Sequence, residues 1–312
     1  MQGGSILNPT SALAHPIAHL FLIVGVIMAA IFVLVTTLVL YACVRFRSKH
    51  NQIEPRQNHG NAVLEIAWTV APLLLLVYIF TITVQAMHRS DPGVSENRPP
   101  DMAIVGHQWW WEARYLSSGV LAANEIHVPV GKLFLVRLES ADVIHDWWVP
   151  QLGRKMDAIP GRPNLFWLEA DVPGTYLGTC AEYCGAEHAW MRIRVIAEPP
   201  ADFERWTTQQ LAIPSMASLT EDAESGAKVF QKLTCSNCHS ISGVKANITI
   251  GPDLTHIAGR QTLAGGVLVN TPENLAKWLK NPQAVKPESL MPDFELTNDQ
   301  VRDLTAYLET LQ

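Results

Sequence analysis

Charge is scarce in this chain. Only 17% of its 312 residues are charged, against about 25% in an average soluble domain. With a mean hydropathy of +0.10, that shortage points to membrane segments mixed with soluble ones. A basic excess is missing too. Lys and Arg number 23 against 29 Asp and Glu, so nothing suggests nucleic acid as a partner. The five cysteines are too few and too unevenly spaced for a disulfide scaffold. No internal repeat or low-complexity tract is visible. What is plentiful is apolar material, at 48%. That excludes a disordered or collagen-like chain, and the length predicts about two domains.

Two stretches are long enough to span a bilayer. From Leu20 to Val44 there is no charged residue. About 25 residues of helix reach roughly 37 Å, enough to cross a hydrocarbon core of about 30 Å. A second uncharged run goes from Ile66 to Met87, with Pro72 in its first turns, where a helix tolerates proline best. The competing reading is a pair of buried core helices, but those rarely run so long without a charge. Between the runs lie Arg45, Arg47, Lys49 and Arg56, and no Lys or Arg precedes Leu20. The positive-inside rule puts that short connector in the cytoplasm, with the N-terminus and everything after Met87 outside. Met1 to Pro9 shows no basic n-region or cleavage signal. Either a leader was already removed or the first span serves for targeting.

The outside part reads as two domains. From Met102 to Ala197 the pattern is β. Lys132 to Leu138 is a buried-strand run, Met191 to Ile196 alternates apolar and basic, and turn signals recur at Pro129-Val-Gly131, Pro160-Gly161 and Pro173-Gly174. A β-sandwich or barrel is expected. Glu198-Pro-Pro200 closes it. A polar linker follows, expected over 201–222, with one short helical candidate near Phe203 to Leu211. After Gly226 the periodicity is helical, and Thr297 to Gln300 fits a capping box.

Two constellations carry chemistry. The first is Cys180-Ala-Glu-Tyr-Cys184-Gly-Ala-Glu-His188-Ala-Trp-Met191, with His145 upstream. Thiolate and thioether select copper(I) and zinc, and imidazole suits both metals. Two thiolates can bridge two copper ions, each capped by one imidazole, with Met191 and a backbone carbonyl as weak axial contacts. Such a site suits electron transfer, since it leaves no open position for substrate. Three plainer readings compete: a Cys180–Cys184 disulfide, a structural Cys₂His₂ zinc site, and buried packing of unrelated residues. Met191 counts against zinc.

The second is Cys235-Ser-Asn-Cys238-His239, a C-x-x-C-H haem-attachment motif. With 5 Cys and 11 His in the chain, random order gives roughly 0.003 such motifs, so chance is a poor explanation. His239 becomes the proximal iron ligand. Met291, the only methionine after it, is the expected second axial ligand, a pairing that raises the reduction potential. His256 is a rival. Cys43 remains over and reads as a small apolar residue. His59, His88, His107 and His127 have no partner at ligand spacing.

Asp142 to Pro150, Asp157 to Arg162, the Cys180 to Met191 run and Gly106 to Trp111 together resemble subunit II of haem-copper cytochrome c oxidases, over about Leu20 to Ala197. The resemblance implies a cupredoxin-like fold for the β-domain. It implies that His145, Cys180, Cys184, His188 and Met191 bind a dinuclear copper A centre of two copper ions, and that Glu182 does so through its backbone carbonyl. The Glu182 side chain would reach a magnesium site shared with subunit I. Trp109 takes the position of the tryptophan through which electrons enter, although Trp110 stands where the family has Tyr. Glu65, three residues before Trp68, takes the position of a glutamate at a proton-channel mouth. Its plainer role is an acidic residue at a helix N-terminus. Retention of the copper ligands separates the chain from quinol oxidases and argues for a cytochrome-type donor. The last domain resembles class I cytochromes c. Gly251-Pro252-Asp-Leu254 matches their loop beside the proximal histidine, placing Pro252 in the haem pocket, and Gly226, Phe230, Leu304 and Tyr307 match their helix crossing.

The expectation is therefore a multidomain chain. A transmembrane hairpin lies within 1–94, with spans near 20–44 and 66–87. A copper A domain follows over 95–200, a linker over 201–222, and an all-α cytochrome c domain with one covalent haem over 223–312. The resemblance makes it subunit II of a caa-type oxidase in a bacterial plasma membrane. Its partners would be subunits I and III and an external donor, such as a cytochrome c or another periplasmic carrier. Oxygen reduction and proton translocation would take place in subunit I. Two other readings share features: the corresponding subunit of a copper A nitric oxide reductase, and a membrane-anchored copper chaperone. A chaperone would have no use for covalent haem or Met191.

Overall fold

The computed structural model describes residues 4–47, 57, 60–94, 98–215, 219–242 and 250–312. Lys49, Arg56 and His59 lie outside the described residues. The chain divides into two compact units, residues 15–92 and residues 1–14 with 93–312.

The first unit is two helices, α1 (His15–Arg45) and α2 (Ala62–Ser90). Both are apolar enough and long enough to cross a bilayer, and their apolar side chains are exposed along their length. In water that surface would be costly; in lipid it is the solvent-facing side. Each helix outruns the expected span. A charge ends an uncharged run but not a hydrogen-bonded helix, so α1 includes His19 and Arg45 and α2 includes Glu65, His88 and Arg89. Asn61 caps α2 by accepting from the amides of Val63 and Leu64. Glu65 Oε1 accepts in return from the Asn61 amide at 3.2 Å.

The second unit begins as a sandwich of two five-stranded sheets. In the first, the order is β3 (Leu121–Ala123), β2 (Trp110–Tyr115), β1 (Met102–His107), β5 (Phe134–Ser140) and β8 (Asn164–Leu168). In the second it is β4 (Glu125–Pro129), β10 (Arg192–Glu198), β9 (Gly174–Cys180), β6 (His145–Trp148) and β7 (Met156–Ala158). Pairs β1–β5 and β4–β10 are parallel and the others antiparallel. Trp111, Trp147, Ile104, Leu138, Ile193 and Met191 fill the space between the sheets. This is the expected β-sandwich.

Residues expected to be linker begin as α3 (Pro200–Leu211), which packs back on the sandwich. Phe203 and Trp206 give the reason. Trp206 stacks on His127 with ring centroids 4.1 Å apart and meets Tyr115 edge-on at 5.3 Å. Two aromatics on a polar helix bury enough apolar surface to hold it there.

The helical domain follows: α4 (Glu221–Lys232), a short hairpin of β11 (Thr262–Leu263) and β12 (Leu268–Val269), α5 (Pro272–Lys280), α6 (Pro282–Val285) and α7 (Asn298–Leu308). Thr297 and Gln300 form the expected capping box on α7. Helices α4 and α7 cross at Gly226, where a Cβ would fall 2.0 Å from the Asp303 carbonyl oxygen. Phe230 and Tyr307 fill the crossing, 5.8 Å apart.

Candidate functional site

Strands β9 and β6 are antiparallel neighbours, with Trp147 opposite Cys180. That register delivers His145 from one strand and Cys180 from the other to the same rim. The loop after β9 then turns back through a single 3₁₀ turn, His188–Trp190, and puts Met191 at the head of β10. Six separate donors converge. The Cys180 and Cys184 sulfurs lie 3.8 Å apart, and both thiols are free. A disulfide would need about 2.05 Å.

The donors fall into two sets around this sulfur pair. Cys180 Sγ is 4.0 Å from His145 Nδ1 and 3.2 Å from the Glu182 carbonyl oxygen. Cys184 Sγ is 3.6 Å from His188 Nδ1 and 3.8 Å from Met191 Sδ. Each sulfur therefore has one imidazole and one weak donor of its own. A tetrahedral zinc site uses four donors and would leave the carbonyl and the thioether idle. Two soft ions sharing both sulfurs would use all six. His145, Cys180 and Cys184 are buried, with their ligand atoms within 4.8 Å of one another.

The two thiols at this rim share one proton. The hydrogen bond with Cys184, aided by His145, holds the Cys180 thiol well below the usual thiol range. The same shared proton, together with burial, pushes Cys184 up. The site thus holds one thiolate and one proton ready for displacement. Burial opposes charge on His145, but its bond to Asp142 and the neighbouring Cys180 outweigh that and raise it. Asp142 Oδ1 sits 2.7 Å from His145 Nε2. Carboxylate acceptance at Nε2 leaves the Nδ1 lone pair facing the sulfurs. Asp142 also accepts from the amides of Gln108 and Val143. One residue further on, burial and the facing Asp157 push the Asp146 carboxyl up to about 7.

Trp109 and Gln108 lean on the copper-type loop from the other sheet. Trp109 Nε1 donates to the Cys184 carbonyl at 3.0 Å, and Gln108 Nε2 donates to the same oxygen at 2.8 Å. Trp109 is nearly buried. Its backbone carbonyl accepts from Lys286 of the helical domain at 3.0 Å.

That domain holds a largely apolar cavity of about 480 Å³. Cys235, Cys238, His239, Pro252 and Met291 line it, and so do Gln108, Trp109 and Trp110 of the sandwich. Its size is that of a cofactor pocket. His239 Nδ1 lies 2.8 Å from the Pro252 carbonyl. Donation there fixes the tautomer and frees Nε2 for a metal. Burial lowers the His239 pKa and keeps the ring in its neutral, ligating form. The residues present therefore fit a covalently attached haem, which Cys235 and Cys238 would hold and for whose iron His239 and Met291 would be available as ligands. His256 is engaged elsewhere, with Nδ1 2.7 Å from the Gln312 carbonyl and Nε2 3.0 Å from the Gln210 carbonyl.

Glu182 is exposed on the loop, with Oε1 accepting from the Tyr183 amide. The sequence reading missed Asp142 as a partner of His145, although the Asp-x-x-His spacing carried a signal. It also missed Glu187 and Lys286, which pair across the two domains at 2.8 Å. No local pattern links residues so far apart.

An apolar helical hairpin, a sandwich with a cysteine pair at its rim and a helical domain built around C-x-x-C-H define a class: membrane-anchored electron-transfer proteins. Comparison with known proteins is specific. Residues 3–85 match the family model for the cytochrome c oxidase subunit II transmembrane domain, residues 116–198 its periplasmic domain, and residues 223–312 cytochrome c. Cytochrome c oxidase subunit 2 of Alkalihalophilus pseudofirmus is 34% identical, covering 98% of this chain and 90% of its own length. The Bacillus subtilis subunit is 29% identical, covering 99% and 92%. A crystal structure of the periplasmic domain of oxidase subunit II from Bradyrhizobium japonicum matches 36% of this chain and 95% of that one, at 32% identity and a TM-score of 0.35.

The chain belongs to the cytochrome c oxidase subunit II family. It is the subunit that receives electrons in a membrane-bound oxidoreductase complex containing subunit I, and its two outer domains imply copper A and haem c.

Proposed function

We propose that this chain is subunit II of a caa-type oxidase in a bacterial plasma membrane, beside subunits I and III. His145, Cys180, Cys184, His188, Met191 and the Glu182 carbonyl would hold dinuclear copper A. Cys235 and Cys238 would attach one haem c, with His239 and Met291 as axial ligands. When bound, these groups supply one-electron carriers in the order external donor, haem c, copper, then the haem of subunit I, where oxygen is reduced to water with proton translocation. The Glu182 side chain would give one ligand to a magnesium ion shared with subunit I. Glu65 would stand at the mouth of a proton channel.

The observation that carries this reading is a shared wall. Trp109 lines the haem-sized cavity and its indole donates to the Cys184 carbonyl. One side chain thus touches both sites. The Trp109 backbone carbonyl also accepts from Lys286 of the helical domain, at 3.0 Å. Asp142 orients His145, and the Pro252 carbonyl orients His239.

The test uses the assembled oxidase with both cysteines of the haem motif replaced, C235A/C238A. Oxygen uptake driven by the external donor should fall to background while the copper spectrum is retained. Uptake at the unaltered rate would mean that electrons bypass the fused domain.

A further inference from the structure

The contact between the cytochrome domain and the sandwich is built from buried charge. Lys286 follows α6, five residues before Met291, and is 4% exposed. Its ammonium lies 2.8 Å from Glu187 Oε2 and donates to the Trp109 carbonyl at 3.0 Å. Glu187 is fully buried and sits between Cys184 and His188 on the copper loop. Glu125 of β4 reaches the other way. It is 4% exposed and accepts from the Gln261 amide at 2.9 Å and the Thr262 hydroxyl at 2.5 Å.

Between these anchors the β11–β12 turn lies close against the sandwich. Gly265 and Gly266 have φ of +72° and +88°, a region that side chains other than glycine rarely adopt. A Cβ on Gly265 would come within 3.3 Å of the Trp109 carbonyl, and one on Gly266 within 3.0 Å of Arg192 Cβ. Buried charges like these contribute little net stability, but they penalise every arrangement in which they lose their partners. They therefore fix register rather than strength.

On the reading given under Proposed function, we propose that Lys286 is a positioning residue for electron transfer. It clamps the wall of the haem pocket onto the copper loop at Glu187 and the Trp109 backbone, and so holds the two carriers in one docked arrangement. A swinging domain would make transfer wait on diffusion, whereas a clamped one leaves it to the fixed gap.

The test uses the holo oxidase and its K286M, E187Q and K286M/E187Q variants. Two readouts are taken. One is amide hydrogen exchange in residues 261–266 and 185–190. The other is the rate of copper reduction after photoreduction of the haem, measured against solvent viscosity. In the parent protein the rate should not depend on viscosity. K286M should raise exchange by about tenfold or more, slow transfer comparably and make it viscosity-dependent. E187Q approaches the same clamp from the copper side and should do likewise. The double variant should be no worse than the worse single one, because the two residues act as one unit. Intact haem and copper spectra confirm that each variant is folded. Parent-like exchange and viscosity-independent transfer in both single variants would overturn the clamp. Absence of a dinuclear copper signal from the parent protein would instead defeat the underlying reading, and the exchange readout is independent of that signal.

Discussion

Replacing Asp142 by Asn should weaken copper binding without emptying the site. Asp142 provides no donor to the sulfur cluster. It accepts from His145 Nε2, the Val143 amide and the Gln108 amide, each at 2.7 Å. An amide has one acceptor oxygen where the carboxylate has two, and its NH₂ would face one of these donors. Charge-assisted bonds are roughly twice as strong as neutral ones. The loss falls on the orientation of one of two imidazoles, while both thiolates remain. Carboxylates that orient a metal-bound His are worth about 10–100-fold in affinity, or about 1.4–2.7 kcal/mol. The assay is competition for copper against a chelator of known affinity, on the full chain in detergent. The copper spectrum should shift and the haem spectrum should not. An affinity unchanged within about twofold would refute the claim that Asp142 holds the His145 ring.

Other outcomes follow from the same geometry. In G226A the new methyl would meet the Asp303 carbonyl at 2.0 Å, and overpacking of that kind costs about 1–3 kcal/mol. The gain in helix propensity, about 1 kcal/mol, offsets only part of it, so denaturant unfolding followed at the haem should shift to lower midpoint. Burial opposes charge on Glu112, yet the bonded Arg114 guanidinium and the His107 imidazole 3.7 Å away leave its carboxyl below the ordinary 4.5. A depressed acid stabilises the fold fully above its unfolded value and loses that contribution as pH falls through its folded one. The melting temperature should therefore fall more steeply below about pH 4.5 in the parent than in E112Q. Equal slopes would show that Glu112 is not held by these partners.

Much of this molecule was legible because its chemistry is local in sequence. Cys180, Cys184, His188 and Met191 lie within twelve positions, and Cys235, Cys238 and His239 within five. Thr297 announces α7 through Gln300, three residues on. What was hidden depends on pairing across long separations. Nothing near Phe203 or Trp206 indicates that α3 folds back on Tyr115 and His127. Lys286 and Glu125 read as ordinary surface charges until the fold brings each to the opposite domain. The sheet orders, with β1 beside β5 and β10 beside β4, likewise follow from global packing rather than from any strand's own pattern. Helix ends and span ends differ for a local reason: charge marks where lipid contact stops, and backbone hydrogen bonds mark where a helix stops.

The most direct test of the account is an electron paramagnetic resonance spectrum of the oxidised full chain loaded with copper and haem. Two donor sets around one sulfur pair predict hyperfine structure from a single electron shared equally by two copper ions. A spectrum from one isolated copper, with haem intact, would contradict it.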